Sequence, residues 1–149
     1  MRSAMRIRSA STSNTASVMS APPVRVLVID DDEDGAEALA TVMRLAGHEV
    51  AVAQDGKQAV ELASRLASEL VLLDLALAGT VDGYEVARRL WRAPGTVRAR
   101  LVAVTGFGTD EHRQRAREVG FDLFLTKPIE PALLRDLAHV VQSMRGSWE

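Results

Sequence analysis

Leu70-Val71-Leu72-Leu73-Asp74 is a run of four large aliphatic residues that stops at a single carboxylate. A strand covered by helices on both faces reads as continuous hydrophobics, because neither face meets water. Four similar tracts accompany it. Val24 to Asp30 (VRVLVID) is apolar and ends in acids, while Glu49 to Gln54 (EVAVAQ) alternates and reads as a more exposed strand. Leu101 to Thr105 (LVAVT) ends in a hydroxyl, and Phe121 to Thr126 (FDLFLT) runs into Lys127-Pro128. Helical spacing fills the gaps. Ala36, Leu39, Ala40 and Met43 fall at i, i+3, i+4 and i+7, one stripe facing a sheet, and Gly47 is placed as a stop. Ala59, Leu62, Ala63 and Leu66 make a second stripe, and a third helix is expected around Tyr84 to Arg92, with Pro94-Gly95 as a break. Thr109, followed by Asp110 and Glu111, suits an N-cap with an acidic first turn, and Gly120 ends that fourth helix. Pro131 opens the last, with Leu133, Leu134, Leu137, Val140, Val141 and Met144 on one side. Strand and helix alternating five times over predict one α/β domain with a parallel sheet and right-handed crossovers.

The 149 residues suffice for one domain with a core, and 47% hydrophobic with 26% charged residues is ordinary for a globular chain. Without cysteine, disulfides and thiolate metal sites are excluded and a cytoplasmic home is expected. No apolar run approaches the roughly 20 residues of a membrane span, so no membrane partner is expected. Three of the eighteen basic residues (Arg2, Arg6, Arg8) lie in the first 23, which hold no acid, leaving fifteen against twenty beyond. A negative folded unit makes direct nucleic-acid binding unexpected, because phosphate contacts need clustered Lys and Arg. Residues 1–23, rich in Ser, Ala and Thr, read as a disordered extension, with Met19 as an alternative start. The domain is placed at 24–145 and a short tail at 146–149.

In a sheet of this kind ligands bind beyond the carboxyl ends of the strands. There stand Asp30-Asp31, Asp74, Thr105 and Lys127. Singly, each has a structural explanation: Asp74 as a turn residue, Thr105 as a good strand former, Lys127-Pro128 as a turn. Their joint placement points to chemistry. Three close carboxylates raise one another's pKa unless a counter-charge is present; Mg²⁺ or Mn²⁺ would supply one and Lys127 another. Asp32, Glu33 and Asp34 read instead as an acidic helix start. A carboxylate nucleophile, a hard cation, a hydroxyl and an ammonium form a phosphoryl-transfer set, with an aspartyl phosphate as the covalent product.

VLVIDDDED, LVLLDLALAG…DGYEVARRL, LVAVTGFG and FDLFLTKP together, from about Val24 to Met144, resemble the response-regulator receiver domain of two-component signalling, a CheY-like fold. The resemblance implies a five-stranded sheet in the order 2-1-3-4-5 flanked by five helices. It implies Asp74 as phosphoacceptor, with Asp30, Asp31, Asp74 and the backbone carbonyl of Ala76 around Mg²⁺. Thr105 and Lys127 would bond the phosphoryl oxygens, Phe124 would be the switch aromatic, and Lys127-Pro128 a cis peptide. A histidine kinase or histidine phosphotransfer domain would be the donor. An unknown downstream protein would read the face of the fourth helix, fifth strand and last helix. The chain would be no enzyme beyond catalysing its own phosphorylation and dephosphorylation.

Two departures bear on chemistry. Ala78 replaces the proline often found in the loop after Asp74, and residues 79–83 look one residue longer than usual. Ala76 has no polar side chain to position an attacking water, and Phe107 is expected to shield the site, which predicts a long-lived phosphoryl state. The chain ends soon after Met144, so either a stand-alone receiver or a piece of a hybrid kinase or regulator is expected. Three rivals remain. A haloacid-dehalogenase-like phosphatase would use Asp30-x-Asp32, but it needs a later acidic pair that is missing. A flavodoxin-like cofactor binder would have to bind phosphate at the anionic Asp30 to Asp34. A degenerate receiver would only bind partners.

Overall fold

A computed structural model of the chain describes residues 21–76, 82–93, 96, 99–106 and 108–145. Expectations placed on residues 1–20, on 78–81, on Pro94-Gly95, on Phe107 and on the tail 146–149 fall outside the described residues. The elements are β1 (Arg25–Ile29), α1 (Glu33–Leu45), β2 (Glu49–Ala53), α2 (Gly56–Leu66), β3 (Leu70–Asp74), α3 (Gly83–Arg92), β4 (Arg100–Thr105), α4 (Asp110–Val119), β5 (Leu123–Thr126) and α5 (Pro131–Ser143). All strand pairs are parallel and the order is β2-β1-β3-β4-β5, as the resemblance implied. No helix among the described residues is long and apolar enough to cross a membrane.

The pattern of burial explains the order. Every residue of β3 and of β4 is buried, so both occupy the interior of the sheet. β2 shows only Ala53 fully buried, in keeping with its alternating sequence and its place at an edge. Two cores result, one on each face. Leu27, Ile29, Val71, Leu73, Leu101 and Ala103 point to α2, α3 and α4. Val26, Val28, Leu70, Leu72, Val102 and Val104 point to α1 and α5. This is period-two alternation with both faces covered.

The helix stripes hold with local exceptions. Ala36, Ala40 and Met43 are buried on α1 while Leu39 is half-buried. On α2, Ala59 and Ala63 are buried but Leu66 is 38% exposed at the helix end. On α5 the buried set is Leu134, Leu137, Ala138 and Val141, with Leu133, Val140 and Met144 only partly covered. Asp55 and Thr109 cap α2 and α4, accepting the Gln58 and His112 amides.

The fifth strand is shorter than Phe121 to Thr126. Phe121 turns into the core at 7% exposure, its N–H donating to Ala116 at the end of α4. Asp122 N–H donates to the Leu101 carbonyl while its side chain accepts the Leu101 N–H at 2.8 Å and lies 3.5 Å from Arg100. The carboxylate does the work of a ladder carbonyl there, so regular pairing begins only at Leu123.

Candidate functional site

Because the strands are parallel, their carboxyl ends gather on one rim. Asp74 ends β3 in register with Val104, and Thr105 follows on β4 in register with Thr126. Asp30 lies just past β1, its N–H donating to the Ala53 carbonyl. Lys127 follows β5, its N–H donating to the Thr105 carbonyl at 2.8 Å. Sheet geometry alone thus brings together residues up to 97 positions apart.

Lys127 Nζ joins the two buried acids. It donates to Asp30 Oδ2 at 3.0 Å and to Asp74 Oδ2 at 3.1 Å. The remaining oxygens are also engaged: Asp30 Oδ1 accepts the Asp32 N–H, and Asp74 Oδ1 accepts the Ala76 N–H, both at 2.9 Å. Backbone amides and an ammonium thus hold both carboxylates through charge-assisted hydrogen bonds. Asp30 and Asp74 are 1% and 7% exposed, whereas Asp31 faces solvent.

Electrostatics follow from this burial. Desolvation pushes the Asp30 carboxyl above its usual range, and the Asp74 charge adds to it; the Asp32 amide and the Lys127 ammonium pull the other way. For Lys127, burial opposes the charge, but the bonds to Asp30 and Asp74 outweigh it and hold the ammonium above its ordinary value.

Asp30, Asp31 and Asp74 each offer an oxygen, and these lie within 4.8 Å of one another. Hard oxygen donors at that spacing, with one of the three acids open to solvent, fit a Mg²⁺ ion that keeps part of its water. Ala76 lies two residues past the β3 terminus, its N–H on Asp74 Oδ1. Thr105 is 3% exposed at the same rim. Phe124 stands in β5 three residues before Lys127, half-buried against the α2–α4 core, with Arg113 Cζ 4.9 Å from its ring centroid. The Lys127–Pro128 peptide is cis. Asp32, Glu33 and Asp34 form the N-cap and first turn of α1, exposed to solvent.

Sequence reasoning did not find the Asp32 amide as the partner of Asp30, nor Gly83. A Cβ on Gly83 would stand 2.8 Å from Leu75 Cα and 2.9 Å from the Asp74 carbonyl oxygen. The Asp82-Gly83 pair before a helix was the available signal, readable as a turn but not as a close approach to the site.

The family model for the response regulator receiver domain matches residues 26–139. Among relatives, the chain is 35% identical over 106 residues to the phosphate regulon transcriptional regulatory protein PhoB of Pseudomonas aeruginosa, covering 71% of this chain and 46% of that one. The chain spans about half the length of several curated relatives it matches. A protein assigned as a response regulator in Chloroflexus aurantiacus superposes with a TM-score of 0.74 at 30% identity, over 82% of this chain and 99% of that one. A response regulator of Burkholderia pseudomallei gives 0.70 at 27% identity, over 83% and 72%; its structure holds a phosphorylated aspartic acid, a calcium ion and citrate.

Proposed function

This chain belongs to the response regulator receiver domain family, and on that premise we propose that Asp74 accepts a phosphoryl group from a histidine kinase or histidine phosphotransfer domain. One Asp74 carboxylate oxygen attacks phosphorus in line, the P–N bond to the donor imidazole breaks, and its electron pair stays on the imidazole nitrogen. Asp30, Asp31, Asp74 and the Ala76 carbonyl would hold Mg²⁺ or Mn²⁺, which supplies charge neutralisation at the phosphoryl oxygens. Lys127 shifts its bond from Asp74 Oδ2 to a phosphoryl oxygen, and the Thr105 hydroxyl donates to another. The phosphorylated Burkholderia relative supports this reading.

The observation that carries the proposal is the single ammonium shared by two buried carboxylates at the rim of a parallel sheet. Phosphorylation adds about −1.5 to −2 charges there. Thr105 then turns towards the new oxygens, Phe124 follows into the vacated space, and the α4–β5–α5 face is offered to a downstream protein. The setting is cytoplasmic, with neither membrane nor direct nucleic-acid contact by this domain, and the activity is limited to the domain's own phosphorylation and dephosphorylation.

The test is intact mass after incubation with acetyl phosphate, with and without Mg²⁺. The expected result is an alkali-labile, metal-dependent adduct that Asp74→Asn abolishes. An adduct that survives Asp74→Asn but not Asp30→Asn would instead mark a phosphatase-like nucleophile at Asp30. Ala76→Asn is expected to shorten the phosphoryl lifetime, by giving an attacking water a polar partner; an unchanged decay rate would contradict this.

A further inference from the structure

Gly83 lies so close to the backbone of Asp74 and Leu75 that there is no room for a Cβ between them. The first turn of α3 therefore packs backbone against backbone on the segment carrying Asp74. Both neighbours of Gly83 reach across to α4. Asp82 caps α3, with Oδ1 accepting the Glu85 N–H at 2.9 Å and Oδ2 standing 3.6 Å from Arg115 Nη2. Tyr84 is 3% exposed and packs edge-on to Phe121, with ring centroids 6.5 Å apart. Its hydroxyl lies 3.2 Å from His112 Nδ1 and 3.5 Å from the His112 carbonyl oxygen. Arg115 Cζ sits 3.9 Å from the centroid of the Tyr84 ring.

Elsewhere α4 is held by Trp91 Nε1 donating to the Val119 carbonyl at 3.1 Å and by Arg113 over the Phe124 ring. Its one buried residue is Ala116, so apolar packing anchors it weakly. The Arg115–Asp82 ion pair is half-exposed on both sides and contributes little alone. The guanidinium stacked on a buried ring and the tyrosine hydroxyl carry more.

We infer that Tyr84 and Arg115 are positioning residues that fasten the Asp74–Ala76 backbone to α4 through the first turn of α3, so that occupancy of the phosphoacceptor site and the placement of α4 bias one another. The path avoids Thr105 and Phe124. The inference rests on the receiver reading given above. Coupling of this kind is reciprocal: whatever α4 docks against alters the site as much as the site alters α4.

Wild type, Tyr84→Phe, Arg115→Ala and the double variant are compared by amide spectra, by Mg²⁺ titration and by intact mass after acetyl phosphate. Tyr84→Phe keeps the ring against Phe121 and Arg115 and removes only the hydroxyl. In metal-free protein, the Leu75 and Ala76 amide resonances shift in both single variants. The Mg²⁺ concentration for half-maximal adduct formation rises on the order of fivefold in Arg115→Ala, with the rate at saturating metal unchanged. Phosphorylation-induced shifts across 110–119 shrink, while those at Thr105 persist. Variants that titrate with Mg²⁺ as wild type does, with Leu75 and Ala76 unmoved, overturn the inference. So do full-sized α4 shifts on phosphorylation. Tyr84→Phe carries the test alone should Arg115→Ala not fold. A wild type that takes up no phosphate defeats the receiver reading itself; normal labelling beside unaltered variants defeats only the clamp.

Discussion

Lys127 is the counter-ion of a site that otherwise consists of acids. Removing one partner of a buried charge cluster costs more than the pair was worth, because the groups left behind lose both water and neutralisation. Lys127→Met should therefore lower stability by about 1–3 kcal/mol in metal-free solution, a range set below the fully buried case because the side chain is 33% exposed. Added Mg²⁺ should restore more stability to this variant than to wild type, since the ion now binds carboxylates that no ammonium occupies. Urea unfolding with and without millimolar Mg²⁺ measures both effects. An equal metal increment in the two proteins would show that Lys127 does not compete for these oxygens.

At the scale of the element, α2 ends on a compromise. Ala67 closes the helix in the left-handed region at φ 48°, a conformation that costs an L-residue with a Cβ roughly 1 kcal/mol. Its carbonyl accepts from Arg25 Nε at 3.0 Å, an interaction a glycine keeps. Ala67→Gly should raise stability by about 0.5–1 kcal/mol, read as a higher urea midpoint with an unchanged slope. The neighbouring helices show how far sequence carried the reading. Asp30, Asp74, Thr105 and Lys127 were legible because each closes a strand, and parallel pairing places all such ends on one rim whatever the loops do. Phe121 misled because an aromatic before an alternating run looks like strand. Only the Asp122 carboxylate, bonding Leu101, shows why it is not. The contacts of Tyr84 with His112 and Arg115 had no signature at all. They join two surface helices 28 positions apart at one end and depend on rotamers rather than on periodicity.

Over the whole molecule, the end opposite the rim of Asp30, Asp74 and Lys127 is held by charge and by one imidazole. Arg145 binds the Glu69 carboxylate through two bonds of 2.8 Å and donates to the Pro22 and Pro23 carbonyls at 2.6 and 2.7 Å. His48, 8% exposed, accepts the Val24 N–H at 3.0 Å on Nδ1. Burial foremost, then the charges of His139 and Arg145, push the His48 pKa down, while Glu69 pulls it up. A lowered imidazole pKa means that the unfolded chain takes up a proton more readily than the folded one. His48 therefore destabilises the fold progressively as pH drops below 6.5, its unfolded value, until the folded imidazole also protonates. For Glu69, burial is the largest single influence and acts upward, but the bonds from Arg145 and Arg25 together hold it below its ordinary 4.5. Its contribution is complete above pH 4.5 and fades as pH falls through the depressed value. Two separate acid steps are thus expected. His48→Gln, which keeps an acceptor for Val24, should flatten the upper one and leave the lower one in place, as followed by urea unfolding at successive pH values. A variant whose pH profile tracks wild type through the upper window would assign that step to another group.

The grip of Arg145 on Pro22, Pro23 and Glu69 also decides how the domain can be wired to anything else. Chain arriving at Pro22 and chain departing after Arg145 share one underside, some five strand residues, or about 17 Å, beneath the rim where Asp74 waits. A fused module or surface tether joined at either point would hang from that underside, leaving the rim clear. One arginine thus serves as a common mooring for both leads.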